Sequence, residues 1–244
     1  MGEIKLKNGD CLKLMEQLED KSVDMILCDL PYGTTQCKWD LVINFEELWK
    51  QYKRIIKDRG AIVLFGAEPF SSFLRMSNIK NYRYDWIWIK NQPTGFPFAK
   101  SQPLRDVELI SVFYKKKPIY NPQGLIKLDK PYKRKRKETK DYIYNQDSLN
   151  NKEYIVEYKN YPKNTLYFKK DKDKLHPTQK PVALLEYLIK TYTNEGDLIL
   201  DNTMGSGSTG VAAKNLNRRF IGMEKDLEYF KIAYNRITGY IYNK

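Results

Sequence analysis

Histidine is almost absent: His176 is the only one in 244 residues. A Ser-His-Asp triad would have to use it, and a His-rich zinc site is excluded. Cysteine is scarce as well. Cys11, Cys28 and Cys37 are an odd number without metal-ligand spacing, which argues against a disulfide framework and fits a reducing compartment. Cys28, closing an apolar run, reads as core. Long hydrophobic runs are missing too, since no stretch approaches the roughly 18 apolar residues of a membrane span. The start, "MGEIKLKNGD", is charged from its third residue, so no secretory signal is expected and a soluble, intracellular chain is.

Charge is abundant and lopsided. The formal net charge is +13, and Lys115 to Leu175 holds 18 Lys/Arg against 8 Asp/Glu, leaving only +3 for the rest. Such a segment suits a polyanion such as nucleic acid, whose condensed counterions are released when phosphates are neutralised. A solvated loop that merely maintains solubility is the alternative for a charge run alone.

Apolar periodicity alternates strand and helix over the first 115 residues. Ile4 to Lys7 reads as a strand, Cys11 to Leu18 as a helical stripe, and Val23 to Cys28 as a buried strand. Phe45, Leu48, Trp49, Tyr52, Ile55 and Ile56 recur at helical spacing before the strand Gly60 to Gly66. This βαβαβ order implies a mainly parallel, doubly wound α/β sheet. Tyr84 to Lys90 and Val107 to Lys115 add strands, joined by "NQPTGFPFAKSQPLRD", whose prolines predict an irregular loop.

From Lys116 to about Lys170 the periodicity fades into Tyr, Lys and Asn, which predicts an inserted region over 116–170 within a catalytic domain of 1–115 and 171–244. The pattern resumes with a helix from Pro181 to Tyr192, the strand "LIL", a helix from about Ser208, the strand "RFIGM" and a last helix from about Leu227.

Chemistry gathers at two places. Gly205-Ser206-Gly207-Ser208-Thr209-Gly210 fits G-x-G-x-x-G between a strand and a helix, and Glu224 follows about 20 residues later, placed to accept ribose hydroxyls. Asp10, Asp29, Asp201 and Glu224 all sit just past predicted strands, so one crevice should collect them, although Asp10 alone suits a helix cap equally well. An acidic rim repels a pyrophosphate and welcomes a sulfonium, so S-adenosylmethionine fits better than NAD.

The second place is "DLPY", Asp29-Leu30-Pro31-Tyr32, at a strand end. It resembles the D-P-P-Y motif of the amino-methylating DNA methyltransferases, which modify adenine N6 or cytosine N4. "DNTMGSGSTG" (Asp201 to Gly210) resembles their cofactor loop, and "HPTQKPVALLEYLI" (His176 to Ile189) the segment before it in the β-ordered group, whose motif order this chain follows. Leu30 departs from the usual first proline, while Pro31 still favours an extended Leu30.

The resemblance implies a Rossmann-like catalytic domain with a basic target-recognition insert. It makes Asp29, Leu30, Pro31 and Tyr32 the catalytic tetrad, with Asp29 also beside the cofactor. Glu224 would hold the ribose, Asp10 and Cys11 would lie near the adenine, and Gly205, Ser206, Gly207 and Ser208 would wrap the amino-acid end, with Asn202 and Thr209 in the same loop. Asp201 would neighbour the methionine portion, with Thr178, Gln179 and Lys180 near its carboxylate; His176 would be a structural loop residue. Double-stranded DNA is the implied partner, contacted by Lys100, Arg105, Lys133, Arg134, Lys135, Arg136 and Lys137, with Phe96 and Phe98 suited equally to core packing. A homodimer and a cognate restriction endonuclease are further partners it admits, in the cytoplasm of a bacterial, archaeal or phage-infected host.

An aspartate at the first tetrad position leans toward adenine, since cytosine-N4 members more often carry serine there. The exocyclic amine is a poor nucleophile, so Asp29 and the Leu30 carbonyl would accept its hydrogens and stabilise the charge that develops on nitrogen. The base must be flipped out of the duplex, and Tyr32 offers it a face. The loop through Trp39 would then close over it. Three alternatives remain: cytosine-N4 methylation, a nucleic-acid-binding module without turnover, and an NAD-dependent dehydrogenase.

Overall fold

A computed structural model describes residues 2–33, 41–135, 153–171 and 179–242. Contacts divide the chain into two units, one of residues 1–121 and 164–244, the other of 122–163.

In the larger unit β1 (Ile4–Asn8), α1 (Cys11–Glu16), β2 (Val23–Asp29), α2 (Phe45–Ile55), β3 (Ile56–Gly66), α3 (Phe70–Ser77), β4 (Tyr82–Thr94) and β5 (Arg105–Phe113) follow in order. Within the smaller unit lie β6 (Ile126–Lys135) and β7 (Glu153–Lys159), an antiparallel pair. The larger unit resumes with β8 (Thr165–Phe168), α4 (Val182–Tyr192), β9 (Leu198–Asp201), α5 (Ser208–Asn215), β10 (Arg219–Glu224) and α6 (Leu227–Thr238).

Among the described residues, eight strands make one sheet in the order β1-β10-β9-β2-β3-β5-β4-β8, in which only β5 runs against its neighbours. This is the expected Rossmann-like, mostly parallel α/β sheet. The central strands are unbroken apolar runs because both faces are covered. Met25 and Leu27 pack with Leu184, Leu188, Ala212 and Phe230 of α4, α5 and α6, whereas Ile26 and Cys28 pack with Met15, Leu48, Tyr52 and Leu74 of α1, α2 and α3. Period-two alternation along β2 therefore serves two helical layers at once.

Adjacent strands β2 and β9 are followed by helices on opposite faces, which opens a crevice at their carboxyl ends where such sheets bind ligands.

Three local expectations change. The segment after Lys90 is not wholly irregular: β4 continues to Thr94, which pairs with Arg105 past a register shift, and a short 3-10 turn occupies Phe96–Phe98. Pro93 is accommodated because the shift relieves that stretch of regular ladder bonds. Phe96 and Phe98 are exposed, so neither is core. Thr165–Phe168, expected within the basic insert, pairs with β4 at the edge of the main sheet, and the smaller unit starts at Pro122 rather than Lys116. Leu166 supplies the reason, being buried with Trp86 and Trp88 in the main core.

Candidate active site

Strand β2 ends at Asp29, and the chain turns through Leu30, Pro31 and Tyr32. Leu30 is buried in the α2-side core and anchors the turn. The Thr203 hydroxyl, just past β9, donates to the Asp29 backbone carbonyl at 3.1 Å. Early and late motifs thus share one end of the sheet, 174 residues apart in sequence.

The Asp29 carboxylate is tightly held. Lys180 Nζ lies 2.5 Å from Oδ2, and the Tyr32 hydroxyl donates to Oδ1 at 2.7 Å. Glu108 of β5 reaches both donors through Oε1, 2.8 Å from Lys180 Nζ and 3.1 Å from the Tyr32 oxygen. Lys90 Nζ stands 3.9 Å from Glu108 Oε2. Burial pushes the Asp29 pKa upward; Lys180 opposes that and Glu108 reinforces it, leaving a net rise. Burial would lower Lys180, yet the two carboxylates hold it above the ordinary lysine value, so it stays an ammonium. One side of the Tyr32 ring stacks on Phe70, with centroids 4.8 Å apart.

Around the glycine loop, Gly207 sits at φ 80° at the N-cap of α5, a conformation natural to glycine. Glu224 holds this loop: its carboxylate accepts from the Gly205 amide at 2.9 Å and from the Asp226 amide at 2.8 Å. Burial raises Glu224 while these amides oppose the rise. Asp201 is buried, accepts from the Thr203 amide and is pushed up to about 7 by burial, with Thr209 and Thr203 opposing and Asp29 adding. Arg236 of α6 donates to Ser208 Oγ at 2.8 Å and to the Ser206 carbonyl at 3.3 Å.

Asp10 caps α1, accepting from the Leu12 amide at 3.1 Å, with Lys225 Nζ 3.5 Å away. Asn202 Oδ1 accepts from Cys28 Sγ and from the Tyr52 hydroxyl, while its buried Nδ2 has no partner among the described residues. Burial raises the Cys11 pKa, with Asn202 opposing the rise. Gln179 bonds to Asp171 and to Ser206 Oγ. Thr178, His176, Arg136, Lys137 and residues 34–40, Trp39 included, lie outside the described residues. Lys100 and Arg105 are exposed in the larger unit, and Lys133, Arg134 and Lys135 on β6 of the smaller one.

Sequence reasoning missed Glu108, Lys90, Asp171 and Arg236. Glu108 alone carried a signal, as the one charge in "VELISVF".

The N6_N4_Mtase family, described as DNA methylase, matches residues 23–235. The chain belongs to this DNA methylase family. Type II methyltransferase M.HpaI of Haemophilus parainfluenzae is 29% identical over 244 residues, 95% of the methylase and 73% of the relative. Type II methyltransferase M2.DpnII of Streptococcus pneumoniae is 29% identical over 260 residues, 96% and 89% of the two. Among solved structures, an M1.HpyAVI–SAM complex is 27% identical with a TM-score of 0.63, covering 96% of the methylase and 99% of that chain. The cytosine-N4-specific PvuII DNA methyltransferase, 17% identical with a TM-score of 0.71 over 97% and 86%, shares the fold. No helix among the described residues of the methylase is long and apolar enough to cross a membrane.

Proposed function

We propose that this DNA methylase transfers a methyl group from S-adenosylmethionine to adenine N6 of a base flipped out of double-stranded DNA. The observation that carries the reading is the joining of Asp29 to the cofactor-loop strand through the Thr203–Asp29 hydrogen bond. The aspartate opening the tetrad supports adenine over cytosine.

The residues present fit the cofactor. Carboxylates of Asp10, Asp29, Asp201 and Glu224 stand at neighbouring strand ends and suit a cation, and the unmet Asn202 donor suits a ligand with acceptor atoms. When bound, S-adenosylmethionine supplies an electrophilic methyl group whose bond to sulfur breaks with the electron pair staying on sulfur. Asp29 and the Leu30 carbonyl accept the two amine hydrogens, drawing the nitrogen toward a tetrahedral shape as it forms its bond to carbon. Asp29 stabilises the positive charge arising on nitrogen until a proton leaves. Tyr32 offers its ring to the base, and Glu224 receives the ribose hydroxyls on lone pairs its amide donors do not use. Asp201, Asn202, Gln179, Lys180 and the loop from Gly205 to Thr209 would hold the methionine end, with Asp10 and Cys11 for the adenine.

Residues 116–170 act as a target-recognition region on DNA, supported by their charge and eight tyrosines from Tyr120 to Tyr167. Lys100, Arg105 and the run from Lys133 to Lys137 neutralise phosphates. The type II names of the relatives support a restriction-modification role beside a cognate endonuclease in the cytoplasm.

Methylated duplex digested to nucleosides tests the reading. N6-methyldeoxyadenosine is expected, lost in Asp29→Ala while cofactor affinity changes by no more than a few-fold; N4-methyldeoxycytidine alone would replace adenine by cytosine.

A further inference from the structure

Asp29 is already engaged before any base arrives. A carboxylate has lone pairs to spare, yet one that shares its charge with a phenol and an ammonium is a weak partner for an amine hydrogen. Both donors have a second acceptor within reach, and it is the same atom, Glu108 Oε1. Glu108 is buried on β5, which is costly for a carboxylate unless donors satisfy it. A phenol carries one hydrogen, so the Tyr32 contacts at 2.7 and 3.1 Å are alternatives. An ammonium carries three, so Lys180 can hold both carboxylates at once.

We infer that Glu108 is a positioning residue that takes over the Tyr32 hydroxyl and shares Lys180, thereby freeing Asp29 to accept the amine hydrogen of the flipped base. This rests on the proposed role of Asp29. Only hydrogen bonds are exchanged, and the net charge of the cluster is unchanged. Glu108 is suited to the task because β5 runs antiparallel to β3 and starts at the end of the sheet where β2 finishes. Its side chain enters the site from the strand beyond β3, while Tyr32 and Lys180 arrive from the two flanking loops. The groups facing the pair are Lys180, Tyr32 and Lys90, and Asp29 in turn raises the pKa of Asp201 on β9.

Glu108→Gln in the full chain tests this by single-turnover methyl transfer across pH. Glutamine keeps the size but loses the charge that competes for Tyr32, so the rate should fall about tenfold or more while S-adenosylmethionine and DNA affinities stay within about twofold. The acid limb of the profile should also move to lower pH, because Asp29 then keeps Lys180 and Tyr32 without a neighbouring negative charge. A purely structural role would lower the rate evenly and leave the limb in place, and that result, or a wild-type rate, overturns the inference. Should the glutamine variant fail to melt cooperatively, Glu108→Asp decides. It keeps the charge but withdraws the oxygen from Tyr32, which then stays on Asp29, so a reduced rate with the acid limb moved to lower pH is expected, and a wild-type rate or an unmoved limb overturns the role. Asp29→Ala runs beside both: turnover there removes the reading of Asp29 itself, whereas a dead Asp29→Ala with an unaffected Glu108→Gln removes only the role of Glu108.

Discussion

Lys180 and Asp29 are 151 positions apart in the chain, and their side chains meet at 2.5 Å between Nζ and Oδ2. Lys180 is 8% exposed and Asp29 23%, so the pair is shielded from solvent and neither charge is readily rehydrated if its partner is removed. The contact belongs to the proposed chemistry as much as to the fold, since it holds the segment leading into α4 against the tetrad at the end of β2.

Lys180→Met therefore leaves Asp29 and Glu108 facing each other without a cation. Breaking a buried pair in this way costs about 3 kcal/mol, to be read in urea unfolding at neutral pH. The sign of its pH dependence follows from the carboxylates. Without the ammonium, the folded Asp29 pKa rises further above its unfolded value. The variant then loses stability as pH climbs from the ordinary carboxylate range to that raised value, and regains it on acidification. The gap between wild type and variant should be widest at neutral pH and shrink toward about pH 4; a gap independent of pH would mean that Asp29 and Glu108 do not repel.

Asp201 gives a second pH test. Its pKa of about 7 lies above the unfolded value, because burial disfavours its charge. The folded state thus binds more protons than the unfolded one between the two values. Stability from this group is present below the unfolded pKa and is lost as pH rises toward about 7, by at most about 1.4 kcal/mol per pH unit. Asp201→Asn should flatten that slope in the difference between variant and wild type. Calorimetry should also show S-adenosylmethionine binding tightening in wild type between about pH 6 and about pH 8, as the carboxylate ionises beside a cation, and no such tightening in the variant. Equal slopes would remove Asp201 from the cofactor site.

The two halves of the site differ in how far the sequence discloses them. Asp29 and the loop from Gly205 to Gly210 are readable because each is local: an apolar run ends, and the residues after it have little to do in a core. Glu108 and Arg236 act through tertiary placement. Glu108 enters the site only because β5 pairs with β3 and β4, and Arg236 reaches Ser208 from the far end of α6. No local pattern states which strand neighbours which. The same holds for β8, four residues whose pairing with β4 decides that they are strand and whose sequence neighbours are polar. Asp10 shows the opposite effect: the carboxylate proposed for the cofactor caps α1, the local role that its place before a helical stripe already allowed.

Gly207 tests the loop without touching a charge. An added Cβ would meet Ile237 and Ala233 of α6, and the backbone there has positive φ. Gly207→Ala should cost about 2–4 kcal/mol, summing left-handed strain and crowding of a packed interface. S-adenosylmethionine affinity should fall with it, because α6 also holds the loop through Arg236. Thermal melts that match wild type would show that the loop relaxes freely.

The basic strand β6 is the place to separate phosphate binding from chemistry. Lys133, Arg134 and Lys135 are exposed on it, opposite Ile155, Tyr154 and Glu153 of β7. Replacing all three by glutamine should reduce the slope of log binding constant against log salt by about 0.9 for each phosphate that is no longer neutralised. Affinity should weaken to a similar extent on every duplex, because phosphate oxygens carry no sequence information directly. Transfer at saturating DNA and S-adenosylmethionine affinity should be unchanged, since these side chains lie on the sheet of the smaller unit and Asp29 on that of the larger. A salt slope equal to that of wild type would mean that this run is a solvated surface and that DNA is held elsewhere.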